Sequence, residues 1–334
     1  MTRPHSTVDR APDVTVVMSP RERFSHTLQS IESLYRDQRV PFHFICIDGG
    51  APRSVARRLD EEQRRRDFRL IRTPYFLTEN QARNLAIPEV TTKYIAFVDN
   101  DVEFAPGWLE ALCACAEETG AAIVSPVVCW GEPVHTTIHF AGGSASIALE
   151  GGERRFRESH WLYDRRLAEV QAGLVRQPSE LAEFHCMLVR RDTFDRVGLL
   201  DEELKSIHEH TDFCLRVRAA GGSVMFEPKA VITYVMGARL GFSDLVYFFY
   251  RWNHDWSLAS DVHFHKKWGT VFSDQVTSEF TVAHRRRAWS SLRKAAEHVV
   301  GWRGSLYLYD MIASGFVRVA QRRQNALARA ARPN

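Results

Sequence analysis

The chain has 334 residues, 45% of them hydrophobic and 25% charged, and a net charge of +3. This leaves room for one large globular domain or two ordinary ones. The small net charge gives no argument for a nucleic-acid partner, and no apolar run is long enough to span a bilayer.

Residues 1–13, MTRPHSTVDRAPD, carry no apolar signal core and read as a disordered lead-in. From there strand-like and helix-like stretches alternate. VTVVM (14–18) is β-branched, and RFSHTLQSIESLY places Leu28, Ile31 and Leu34 at helical spacing. FHFICI (42–47) predicts a second strand, ending at Asp48-Gly49-Gly50, and SVARRLDEEQRRR a solvated helix. FRLIR (68–72), the short helix ENQARNLAI and KYIAFV (93–98) follow. PGWLEALCACAEE opens a helix near Pro106, and AAIVSP returns to strand. The alternation predicts a mostly parallel sheet covered by helices. Ligands of such sheets bind beyond the carboxyl ends of the strands, so Asp48 and Asp99 are expected to face one crevice.

Residues 135–158 hold Gly pairs between short alternating runs and predict a hairpin or meander, and 160–180 predict a polar, mobile loop over the site. FHCMLVRRDTFDRVGLLDEEL predicts strand, helix and turn. HEHTDFCLRVRAAGG predicts a helix stopped at Gly221-Gly222, followed by two strands, SVMFE and AVITYV. Beyond about 242 the chain reads as helical, first aromatic and then basic. Six cysteines, at 46, 113, 115, 129, 186 and 214, form no C-x-x-C pair and read as buried thiols of a cytoplasmic protein.

The stretch YIAFVDNDVEF sets two aspartates, Asp99 and Asp101, one residue apart after an apolar strand. Like charges at that spacing need a cation between them. Carboxylate oxygens at a strand end suit Mg²⁺ or Mn²⁺. The pair does not fit a phosphoaspartyl phosphatase, because Glu103 stands where that pattern has Thr or Val. A sugar nucleotidyltransferase would need a Gly-rich loop after the first strand, and MSPRERFSHTL supplies none.

In their order, VTVVMSPRER, FICIDGG, ENQARNLAI, KYIAFVDNDVEFAPGWLEAL, CMLVRRDTFDRVGLLDEEL and HEHTDFCLRVRAAGGSVMFEPKAVITY resemble the family-two inverting glycosyltransferases of GT-A fold. The resemblance spans about residues 14 to 236. It implies a GT-A domain over 14–240 with a helical C-terminal extension over 241–334. It also implies a nucleotide-diphosphate sugar donor (UDP for preference), a divalent metal, Mn²⁺ or Mg²⁺, and a glycan or lipid-linked acceptor. By the same resemblance Asp99 and Asp101 match the metal-binding Asp-x-Asp with Asn100 between them. Asp48 matches the carboxylate that meets the nucleotide base, and Arg83 and Asn84 match an element near the donor. Trp108 and His185 are expected to shape the sugar and acceptor pocket.

Two departures follow. The family carries Glu-Asp-x-Asp where this chain has Glu209-His210-Thr211-Asp212, so His210 stands where the catalytic Asp is usual. Glu209 is the leading candidate for the base, since the helix start would aim it into the crevice. His210 is the alternative, because imidazole titrates near neutrality. Asp212 shares a face with Glu209 and has Arg216 four residues on, as a catalytic group or a helix ion pair. The family's later His ligand is absent: Tyr234 stands near that place, and His263 or His265 further on is the substitute candidate. A nucleotide-sugar-binding pseudoenzyme is the main rival reading. A membrane-surface scaffold is another, since the C-terminal helices mix aromatic and basic residues in a way that suits peripheral contact with the inner face of a membrane.

Overall fold

The continuous apolar runs become the centre of the sheet. In this computed structural model, residues 13–36, 39–235 and 242–272 are described, together with positions 297–301, 304, 308, 311, 314–322, 324–327 and 329–330. The lead-in up to residue 12, the 240/241 boundary and the basic stretch 285–296 lie outside the described residues.

The strands are β1 (Val14–Ser19), β2 (His43–Gly49), β3 (Arg69–Thr73), β4 (Tyr94–Asp99), β5 (Val102–Phe104), β6 (Ile123–Trp130), β7 (Thr137–Phe140), β8 (Gly143–Glu150), β9 (Glu153–His160), β10 (Gln177–Ser179), β11 (Cys186–Arg190) and β12 (Val224–Tyr234). The helices are α1 (Thr27–Arg36), α2 (Arg53–Arg66), α3 (Glu79–Ala86), α4 (Trp108–Thr119), α5 (Leu167–Val170), α6 (Thr193–Val197), α7 (Glu209–Ala219), α8 (Phe242–Arg251) and α9 (His254–Trp268).

The main sheet runs β10-β12-β6-β11-β4-β1-β2-β3. Its β3-β2-β1-β4 part is parallel, and β11 joins antiparallel between β4 and β6. Every residue of β1 and β4 is buried, as expected of strands covered on both faces. The chain steps outward from β1 to β2 and β3, then crosses back to place β4 on the other side of β1. That reversal opens a crevice beyond the carboxyl ends of β1 and β4. The loop after β1 carries Arg21 and Arg23, Asp99 ends β4 and Asp101 lies in the turn that follows.

Local chemistry explains the punctuation. Thr78 and Gln81 form a reciprocal capping box that starts α3. The turn after β2 needs glycine at position 50: its φ is +81, and a Cβ there would meet the Tyr75 carbonyl carbon at 3.0 Å. The expected hairpin is the β8–β9 ribbon, and β7 pairs with β6.

Two expectations need correction. Residues 160–180 hold a short helix and the strand β10, with Leu167 and Ser179 buried. The two strands expected around 224–235 are one strand, β12, whose register shifts between Glu227 and Val231. Pro228, which has no N–H to donate, falls in that irregularity.

Helix α8 lies against the loop after β1. Tyr247 packs on Phe24 and Phe76 with ring centroids 4.7 and 5.0 Å apart. Its buried residues include Tyr247, Phe248, Phe249 and Tyr250, with Trp252 just beyond. Those aromatic side chains therefore face protein. Among the described residues, no helix is long and apolar enough to cross a membrane.

Candidate active site

Asp99 and Asp101 are both fully buried, yet they are held differently. Asp99 ends β4. Its Oδ1 lies 3.1 Å from Arg83 Nη2, its Oδ2 lies 2.8 Å from His185 Nδ1, and Arg21 Nε is 3.8 Å away. Burial opposes its charge, but the His185 hydrogen bond and the two arginines outweigh that and hold its carboxyl below the usual range. Asp101 has Arg23 Nε at 3.7 Å, and neither of its carboxylate oxygens makes a hydrogen bond. Burial pushes its carboxyl well above the usual range. The positive charge beside the pair thus comes, in this structure, from Arg83 of α3 and from Arg21 and Arg23 of the loop after β1.

Asn100 fastens that loop. Its side-chain oxygen accepts from Arg21 N, and its amide donates to Arg23 O and Thr27 Oγ1. Asp48 sits at the end of β2, where Oδ2 accepts from Arg72 Nε at 2.6 Å and Oδ1 from Ala51 N at 2.8 Å. Arg83 lies under the crevice, its guanidinium 4.0 Å from the Phe184 ring centroid. Asn84 faces elsewhere: its amide donates to Leu200 O and Glu202, and its oxygen accepts from Leu200 N. It therefore pins the turn before α7.

The start of α7 divides its three candidates. Glu209 Oε1 lies 3.1 Å from Arg21 Nη1 and 3.8 Å from Arg251 Nη2, while Oε2 has no hydrogen bond. Burial opposes its charge, but Arg21, Arg251 and His210 together hold its carboxyl below the usual range. The His210 ring lies beside Glu158, with Nε2 4.0 Å from Oε1. Burial works against a proton there, but Glu158 dominates and raises the imidazole. Asp212 pairs with Arg216 Nε of its own helix at 3.0 Å and is turned to α9, where it meets Lys267 Nζ at 2.8 Å and Trp268 Nε1 at 3.0 Å.

The structure does not gather His263 or His265 with the aspartates. His263 lies 3.0 Å from Asp201, and His265 lies 3.2 Å from Asp261 and bonds Thr270. Trp108 is in the core, stacked on Phe104 at 4.5 Å. Tyr234 stacks on His185 at 4.3 Å.

Sequence reasoning missed five charged groups, one of them Glu158 beside His210. Arg21, Arg23, Glu79 and Arg251 are buried or nearly so. Arg251 bonds Glu79, whose Oε1 also lies 3.6 Å from Arg21 Nη1. The signals were the pair of arginines in SPRERF, where a phosphate loop was sought, and a lone arginine ending the aromatic run FFYRW.

A sequence model of glycosyl transferase family 2 matches residues 15–198, and the chain belongs to that family. It is similar to the pre-mycofactocin glycosyltransferase of Mycobacterium tuberculosis, at 27% identity over 223 residues, covering 66% of this chain and 42% of that one. It is also similar to the succinoglycan biosynthesis protein ExoM of Rhizobium meliloti, at 27% over 225 residues, covering 65% and 64%. The uncharacterized protein y4gI of Sinorhizobium fredii is 26% identical over 248 residues, and the chain spans 26% of its length. The chain thus covers less than two thirds of each of these curated relatives. Among solved structures, it is similar to GalNAc-T7 with UDP, GalNAc and Mn²⁺, with a TM-score of 0.53 at 15% identity, covering 80% of this chain and 56% of that one. The mannosyltransferase PcManGT of Pyrobaculum calidifontis, in complex with GDP-Man and Mn²⁺, gives a TM-score of 0.51 at 13% identity, covering 98% and 88%. These likenesses establish the fold, which is GT-A.

Proposed function

We propose that this chain is a metal-dependent, inverting glycosyltransferase that moves a sugar from a nucleoside-diphosphate donor, UDP-linked for preference, to a hydroxyl of a glycan or lipid-linked acceptor. The observation that carries the reading is Asp101: a fully buried carboxylate without a hydrogen bond, one residue from a second buried carboxylate, at the mouth of the β1/β4 crevice. A buried carboxylate left in that state is costly unless a ligand completes it. Two hard oxygen donors fit Mn²⁺ or Mg²⁺. Such an ion, held by Asp99 and Asp101, would offset the charge that builds on the leaving diphosphate.

The chain's own groups have separable tasks. Arg21 and Arg23 flank the aspartates and are placed to turn their guanidinium groups to diphosphate oxygens, the geometry in which arginine binds best. Asp48 keeps lone pairs for an N–H of the nucleobase beside its bonds to Arg72 and Ala51. His210 is favoured over Glu209 for removing the proton from the acceptor hydroxyl. Glu209 is committed to two arginines that make it a poor base, whereas Glu158 supports the proton that His210 would take. The attacking oxygen then displaces the diphosphate in one step, which inverts the anomeric carbon.

Thermal shift with UDP tests this reading. The wild type is expected to gain stability from UDP only when Mn²⁺ is present, by roughly 2.7 kcal/mol at a hundredfold excess over Kd. Asp101→Asn is expected to lose that gain. Equal UDP stabilisation of both proteins in Mn²⁺ would refute the metal role of Asp101.

A further inference from the structure

A second cluster of ligand-type side chains lies off the Asp99/Asp101 pair, and the aspartates are not part of it. His139 comes from β7, His160 from the end of β9, and Glu183 from the segment between β10 and β11. One nitrogen or oxygen of each lies within 4.8 Å of the other two. Glu183 Oε1 is 3.3 Å from His139 Nε2 and 3.8 Å from His160 Nε2. Ligands bound at about 2.0–2.2 Å in a tetrahedron stand about 3.3–3.6 Å from each other, so both separations are close to tetrahedral edges.

We infer that His139, His160 and Glu183 form a binding site for one divalent transition-metal ion of the zinc type, separate from the aspartate pair. Two observations support it. Glu183 is 6% exposed, and its second oxygen, Oε2, is buried without a hydrogen bond. Such an atom calls for a ligand. The donors are two imidazoles and one carboxylate, a borderline set that favours zinc-like ions, whereas the all-oxygen aspartate pair favours Mg²⁺ or Mn²⁺. The two histidines are 19% and 20% exposed, so an ion can reach them from solvent.

The site touches the rest of the crevice. Glu158 approaches the same His160 nitrogen at 3.2 Å, so an ion would compete with that hydrogen bond. Glu158 also faces His210, and an ion on His160 would leave that carboxylate to His210 alone. His139 meets His185, the partner of Asp99, ring to ring at 5.5 Å.

The test is a calorimetric titration of metal-stripped, full-length protein with Zn²⁺, with Co²⁺ absorption as the probe of coordination geometry. The wild type is expected to bind one ion with the intense visible bands of tetrahedral Co²⁺. A protein carrying Asp99→Asn and Asp101→Asn is expected to keep that ion. Glu183→Gln and His139→Gln are each expected to weaken it at least tenfold. His139→Gln stands on a partly exposed side chain, so it serves if Glu183→Gln does not fold. The inference is overturned if the wild type binds no Zn²⁺, if neither ligand variant weakens the site, or if the double aspartate variant loses it. The first two outcomes leave the donor site at Asp99 and Asp101 untouched, so they do not bear on the proposed transfer reaction.

Discussion

His210 shows how one side chain's neighbours set its chemistry. Glu158 stabilises its protonated form and raises it above the ordinary imidazole value of about 6.5. A base must be neutral to act, so turnover is expected to rise with pH through a midpoint above that value. The pH–rate profile of His210→Asn should lose this rise, and turnover should fall by roughly two to four orders of magnitude while UDP binding survives. A loss confined to Glu209→Gln would return the role to Glu209. Arg251 makes the opposite case, a charge whose work is structural. It is fully buried between Glu79 and Glu209. Removing one partner from a buried ionic cluster leaves the others uncompensated and costs about 3–5 kcal/mol. Arg251→Met should show that loss in urea unfolding.

Besides Arg251, helix α8 reaches the site through Asp244. Asp244 is fully buried and accepts from Phe24 N at 3.0 Å, Ser25 N at 3.0 Å and Ser25 Oγ at 2.5 Å. Those donors belong to the loop that carries Arg21 and Arg23, so the helix fixes where the two guanidinium groups can stand. Asp244→Ala strands two backbone N–H groups. It is expected to cost about 1–3 kcal/mol per unpaired group at most and to weaken Mn²⁺-dependent UDP binding. Stability loss with unchanged UDP affinity would show that the loop keeps its place without the anchor.

At the scale of the whole molecule, the helices after residue 241 belong to the same packing unit as the sheet. The rings of Tyr247 and Tyr250 cover Phe76, Gln324 accepts from Phe76 N at 2.6 Å, and Arg251 reaches Glu79 and Glu209. A protein ending at residue 235 would expose that aromatic patch and leave both buried glutamates short of a cation. It is expected to aggregate on size-exclusion chromatography and to lack a cooperative thermal transition. A monomeric fragment with a sharp transition would show that the helical part is a separable extension.

The sequence alone determined the elements whose signal is local. Continuous apolar runs made β1, β2 and β4 because a strand buried on both faces has no polar side to show. The strand-end aspartates and the order of motifs pointed to the GT-A fold, since Asp48 and Asp99 sit at the ends of β2 and β4. Only the tertiary structure decided which charges meet. Arg251 is 172 positions from Glu79, and Lys267 is 55 from Asp212. No periodicity reports such a pairing, because it depends on where a later helix lands. Asn84 shows the same limit at short range. Its motif placed it near the donor, while folding gave its amide to the Leu200 backbone, since a buried amide takes the partners that packing brings to it.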